Sequence, residues 1–394
     1  MEWWVKNWFF QYSIIPIFQF SSVLYLALCG YNVFMKYIDE YRDGEKARPI
    51  IEEIRRLADQ PVRFMEVCGT HTVAIARYGL RKVLPPTIEL ISGPGCPVCV
   101  TSQGDVDLMI SLSRVPGTLI ATFGDMVRVP GSASSLARER AQGRDIRVVY
   151  SPLDGMKIAA AEPQKKVIFL GVGFETTAPT IAATALEARK QGLKNFFVFS
   201  AHKTVPRALK ALLELGEVKL NGFLLPGHVS AIIGSRPYEF LAHDYSVPCV
   251  ISGFEPLDIL QSVLMLLRQV KTGNPRVEIQ YRRGVQEEGN RKAQEVMARG
   301  FQPSDVEWRG IGCIPGTGLA FREELAGLDA ARTFDLPRVQ SRENPGCRCG
   351  EVLRGVIRPR ECRLFAEACT PENPVGPCMV SFEGSCAAAY KYGS

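Results

Sequence analysis

Ile88-Glu89-Leu90-Ile91-Ser92-Gly93-Pro94-Gly95-Cys96-Pro97-Val98-Cys99 is an apolar run that ends in a glycine- and proline-rich loop holding two cysteines. Ser102-Gln103-Gly104-Asp105 follows, and then Val106, Met109, Ile110 and Leu112 recur at helical spacing. A strand therefore hands over to a helix at the cysteine pair, the position where α/β folds place chemistry. A helix N-terminus also favours a thiolate there. Four readings compete. A redox dithiol fits the single pair and the helix behind it. Half of a metal site needs two further ligands. A structural disulfide needs an oxidising compartment, and two plain buried thiols are the bland choice. Pro97 argues against the bland choice, because it stiffens the loop around the sulfurs.

Working outward, the chain has 394 residues, enough for two or three domains. Its apolar and charged fractions, 46% and 22%, are those of an ordinary globular protein. The net charge of +6 is mild, and no basic stripe is interleaved with aromatics, so nucleic acid is not an expected partner. There are twelve cysteines, and six of them fall between Cys347 and Cys386. Such clustering beside cysteine-poor α/β stretches points to a metal or cluster site in a reducing cytoplasm, not a secreted scaffold.

Residues 1–34 stand apart. They are rich in Trp, Phe, Ile and Leu, and Ser13 to Phe34 carries no charge. Alone, this reads as a membrane or signal-like segment. Leu26-Ala27-Leu28-Cys29 narrowly misses a lipoprotein cleavage site, since Leu28 is too large. The composition changes abruptly at Met35, so the expected start is Met35 and the leader a start-site artefact. A true membrane anchor is the alternative.

Downstream, apolar strands are expected at 62–67, 88–91, 118–123, 146–150, 167–172, 195–200, 222–225 and 247–251. Helices are expected at 43–60, 180–191, 207–215 and 256–270, with a charged, exposed one at 284–300. Strands without polar alternation imply parallel sheets covered on both faces. The expectation is an α/β protein with two parallel-sheet domains, 35–150 and 151–328, facing a cleft. A cysteine-rich segment, 329–394, follows, with 329–344 as a linker. So little apolar periodicity in that tail implies that a metal holds it.

Polar loops at the strand ends supply the candidate chemistry. Cys68 and His71 lie three apart at a strand-to-helix turn, able to share a metal or to pair as nucleophile and base. With Cys96 and Cys99 at a neighbouring strand end they would form one site, suited to zinc or to low-spin iron. Asp125 and Arg128 follow a third strand and read equally as a surface ion pair. Glu175, Thr176 and Thr177 read as a polar ligand site or as a helix cap. His202 and His228 follow later strands, where a structural histidine is the commoner case; Cys249 reads as core, and Cys313 stays undecided. Gly171-Val172-Gly173 lacks the third glycine of a dinucleotide loop. Cys347, Cys349, Cys362, Cys369, Cys378 and Cys386 exceed the four thiolates of a [4Fe-4S] cluster by two, and spacing does not choose among them.

Five motifs, in this order, resemble the HypD family of [NiFe]-hydrogenase maturation proteins: Phe64 to Thr72, Gly93 to Cys99, Gly173 to Pro179, Pro226 to Ser230, and Gly376 to Ser381. The resemblance runs from about Met35 to Tyr392, and family members begin much as Met35 does. It implies a cytoplasmic scaffold that assembles the Fe(CN)2CO group. Carried over by motif, Cys68 would bind the iron with a cysteine of the chaperone HypC, and His71 would assist. Cys96 and Cys99 would form a redox dithiol, and Cys349 and Cys378 a second one. Cys347, Cys362, Cys369 and Cys386 would ligate a [4Fe-4S] cluster. Cyanide would come from HypE, supplied by HypF. Asp125, Arg128, Glu175 and His228 match motifs expected at the cleft. Whether the scaffold turns over by itself is left open. The alternative from another class is a thiol-disulfide oxidoreductase with a structural metal in the tail.

Overall fold

The computed structural model describes residues 35–36, 38–336 and 340–393. The proposed leader, 1–34, lies outside the described residues. The chain divides into two compact units, 1–45 and 46–394. In the first, the described part is a short turn with a 3-10 helix at Asp39–Tyr41.

The second unit is an α/β body built on two parallel sheets. One has five strands in the order β2 (Ile88–Ser92), β1 (Val62–Glu66), β7 (Gly222–Pro226), β8 (Cys249–Ser252), β9 (Val277–Ile279). The other has four: β4 (Ile146–Val148), β3 (Thr118–Thr122), β5 (Lys166–Gly171), β6 (Phe196–Ser200). Every residue of β3 and β7 is buried, as expected of strands covered on both faces. Helices end where their chemistry says they should. Ser102 caps Gln103–Arg114 by accepting from the Asp105 amide. Glu255 and Asp258 form a capping box at Pro256–Thr272, and Gly273 closes that helix in the left-handed region.

The sheets do not divide the chain in sequence order. Residue 150, the expected boundary between the α/β runs, falls between β4 and β5, which share a sheet through β3. The chain leaves the first sheet after β2, builds the whole of the second, and returns as β7 beside β1.

Several elements differ from the sequence reading, among them the helix Pro152–Ala161, which it did not expect. The helix expected over 284–300 begins only at Arg291, capped by Asn290, because Gly289 ahead of it takes a φ of +65°. Phe301–Trp308 and Gly312–Phe321 form an antiparallel hairpin, β10 and β11, that the charges and glycines of those segments concealed. Around the loops after β5 and β6, an open recess of about 510 Å3 has Glu175, Arg207, Phe240 and Phe301 in its wall. No cysteine lines it.

Candidate functional site

β1 ends at Glu66, and Cys68 stands at the N-cap of the helix Gly69–Arg77. β2 lies beside it in register, Glu66 opposite Ser92. The loops after the two strands are stitched together: the Gly93 amide donates to Glu66 O at 2.8 Å, and the Gly69 amide to Gly95 O at 3.0 Å. A Cβ at Gly95 would fall on the Cys68 backbone, so only glycine permits this approach. The next residue is Cys96, N-cap of the short helix Pro97–Val100. Its sulfur is bonded to that of Cys99 as a disulfide and accepts from the Cys99 amide at 3.2 Å. Cys68, Cys96 and Cys99 are all buried.

Burial decides the protonation of this region. The Cys68 thiol is pushed up to about 12, first by desolvation and then by the negative fields of Glu383 and Glu66. The Thr70 and His71 amides oppose the rise, without hydrogen-bond geometry to the sulfur. The helix N-terminus therefore loses to burial. Glu66, fully buried, accepts from Thr72 Oγ1 at 2.5 Å and from the Cys68 amide at 3.2 Å, and desolvation raises its carboxyl to about 7.

His71 is buried, and its Nε2 lies 2.9 Å from Gly253 O and 3.3 Å from Ser252 O. Desolvation lowers its pKa to about 4. Phe254 stacks on it at 4.8 Å between ring centroids and on His228 at 3.9 Å from the other side. His228 is exposed at the rim, though crowding by protein still lowers its imidazole pKa. The sequence reading missed Phe254; a phenylalanine after an apolar strand carries no signal beyond packing.

The remaining candidates separate. Glu175 is buried, accepts from the Val205 amide at 3.0 Å, and is raised to about 7 by desolvation. Its Oε2 has no partner, nor has the hydroxyl of Tyr238, whose pKa is raised by burial and by the charge of Glu175. Thr177 sits at the N-cap of Ala178–Lys190 but gives no side-chain cap, turning instead to Phe174 O. Asp125 and Arg128 form no ion pair with each other among the described residues; both hold the tail. Asp125 Oδ2 accepts from Ser381 Oγ at 2.8 Å, and Arg128 donates to Pro371 O at 3.0 Å and Val380 O at 3.4 Å. His202 is a buried structural residue against Ser200 Oγ, Cys249 is core, and Cys313 is exposed on β11.

All six tail cysteines line one small cavity. Gly376 belongs to its wall, and a side chain there would run into Cys347 Sγ. Cys349 and Cys378 are the most buried of the six, and their thiols are neighbours. Cys349 is pushed toward thiolate by the proton that Cys378 shares with it and by the Arg309 guanidinium; Cys378 is pushed the other way. The helices that carry them, Cys349–Leu353 and Pro377–Val380, both pack on Pro97–Val100. Cys99 Sγ lies 3.9 Å from Pro377 O. Cys347, Cys362 and Cys386 are half-buried. Among the described residues no three His, Cys, Asp or Glu side chains are drawn together closely enough to share one metal ion. Also among them, no helix is long and apolar enough to cross a membrane.

Cysteines stand at the mouths of parallel strands and line a cavity in the tail, an arrangement that defines a protein of thiol chemistry. The family profile HypD, described as the hydrogenase formation hypA family, matches residues 45–393. The hydrogenase maturation factor HypD of Rhizobium leguminosarum bv. viciae is 48% identical over 91% of this chain and 96% of its own length. Those of Cupriavidus necator and Escherichia coli K12 are 47% and 44% identical, over 91% of this chain and 97% and 98% of their own. The chain belongs to the HypD family of hydrogenase maturation factors. Its role is in hydrogenase maturation.

Proposed function

We propose that the chain is the scaffold on which the Fe(CN)2CO group of a [NiFe] hydrogenase is assembled. In this reading Cys68 and a cysteine of a HypC-type chaperone hold the iron, the cargo, and cyanide arrives from HypE. The observation that carries it is the stitching of Cys68 to the Cys96–Cys99 loop through Gly95.

The dithiols match the electron count. Cyanide carried on a partner's sulfur as a thiocyanate is released only by reduction. Two thiols give up two electrons and two protons as they close to a disulfide; the S–CN bond takes both electrons, leaving cyanide and a thiolate, which accept the protons. Cys96 and Cys99, bonded in this structure, are then in the spent state. Reduction would come by exchange with Cys349 and Cys378, whose burial on the Pro97–Val100 side supports this choice from the six.

The other four, Cys347, Cys362, Cys369 and Cys386, fit a [4Fe-4S] cluster by donor type and by their common cavity. When bound it would supply electrons singly. Asp125 and Arg128 would hold this tail against the loop after β3, while Glu175 and His228 would shape the approach.

The test is an anaerobic infrared spectrum of the purified chain with its HypC-type partner. Cyanide and carbonyl stretches are expected. Zinc in place of iron, with neither band, would instead mean a thiol-disulfide oxidoreductase.

A further inference from the structure

Three neighbouring strands of the first sheet, β1, β7 and β8, end at one place. His71 lies three residues beyond Cys68 after β1, His228 follows β7, and Phe254 follows β8. The rings form a stack in which Phe254 is the middle member, tilted 28° from His71 and 21° from His228.

The turn beneath this stack is pinned. The Gly253 amide donates to Gln280 Oε1 at 3.0 Å, and Gln280 Nε2 donates in turn to Asp258 Oδ1 at 2.9 Å. A Cβ at Gly253 would collide with the Asp258 carboxylate, and one at Gly227 would press on Phe254 and Tyr281. The carbonyls of Ser252 and Gly253 are thereby fixed where His71 Nε2 meets them. A carbonyl only accepts, so Nε2 carries the proton and Nδ1 is a bare lone pair. That Nδ1 is buried and has no hydrogen-bond partner among the described residues. Turning the imidazole over would forfeit both carbonyl contacts and slide the ring off the phenyl face.

We propose that Phe254 is a positioning residue of this site: wedged between His71 and His228, it keeps His71 in one orientation and one tautomer, with Nδ1 offered as an acceptor near Cys68. Its value to cargo assembly rests on the function proposed above; its effect on His71 does not. A group with a proton to give, entering beside Cys68, would find His71 Nδ1 without a hydrogen-bond partner among the described residues.

The chain has only four histidines, so each is separately visible by long-range proton–nitrogen correlation on nitrogen-labelled full-length protein. His71 is expected to show the Nε2–H tautomer alone in the wild type and in Phe254→Tyr. In Phe254→Leu it should appear in both tautomers, while buried His202 keeps its signal and reports an intact fold. If Phe254→Leu loses the His202 signal, Phe254→Met, of similar bulk without a flat face, takes its place under the same criterion. The second reading is infrared, with the HypC-type partner: iron-bound cyanide bands should fall about tenfold in the Leu variant and return in the Tyr variant, the scale seen when outer-shell partners are removed. Loss of the wild-type bands would sink the assembly reading and leave the tautomer result standing. A folded Leu or Met variant with a single His71 tautomer, or with both tautomers and undiminished bands, would overturn the proposal.

Discussion

Gly95 lies against the backbone of Cys68 so closely that a single methyl group would occupy the same space. This contact joins the two cysteine loops, and through it the position of one fixes that of the other. Gly95 also makes one of the two hydrogen bonds between the loops, through its carbonyl to the Gly69 amide; the other runs from the Gly93 amide to Glu66 O.

Gly95→Ala should therefore cost about 3 kcal/mol, the upper end of the usual range for overpacked core sites, and abolish maturation. Thermal unfolding and hydrogenase activity in a complemented deletion strain check this. A variant of unchanged stability and activity would show the loops to be independent.

Under the proposed assignment of a [4Fe-4S] cluster to Cys347, Cys362, Cys369 and Cys386, Cys349→Ala should leave the iron bound and stop maturation, because the cavity keeps all four. The visible absorbance and iron content of the anaerobic protein report the first, and hydrogenase activity the second. Normal maturation would remove the relay from the mechanism. By contrast, under the same proposal Cys362→Ala should lose the iron and its visible absorbance.

Glu175 predicts a slope of stability with pH. Its carboxyl, near 4.5 when unfolded, is raised to about 7 by burial in the fold. Between those values the native state holds the proton and the unfolded state does not, so stability is full below about 4.5 and is lost as pH rises through 7. The difference amounts to roughly 3 kcal/mol at most. Glu175→Gln keeps an oxygen for the Val205 amide, so its stability relative to wild type should grow between pH 5 and 8. Parallel denaturation curves at the two pH values would contradict the assignment.

Arg128→Ala should loosen the tail without altering either sheet. Its two carbonyl partners, Pro371 and Val380, lie on either side of Cys378 and its neighbours. The contacts are partly exposed, so the tail should open locally at a cost lower by about 1 kcal/mol. Faster limited proteolysis within 365–385, at unchanged overall unfolding temperature, is the signature.

Much of the fold was legible because parallel strands buried on both faces leave continuous apolar runs, as Val167 to Leu170 does. The cysteine loops were legible because glycine, proline and cysteine mark tight turns and thiol chemistry together. What sequence does not carry is strand order: β1 reads the same whether β3 or β7 lies beside it. The hairpin after Gly300 was hidden by Pro303 and by alternating charge, which suit an exposed edge as well as a loop. Phe254 was unreadable for a different reason, since stacking on two histidines depends on three strand ends that only the folded sheet unites. The protonation of Cys68 was not legible, because depth of burial is not visible in sequence.

The return of the chain to β1 has a consequence for biogenesis. Phe64 waits for Gly222, about 160 residues later, before the first sheet can close, and pairing at such separation is slow. The second sheet is an uninterrupted stretch that emerges in between, so during translation the guest can finish before its host. Until then the half-built host exposes the apolar flank of β1, and cleaving the polypeptide between its two sheets at a single site cannot yield both of them whole.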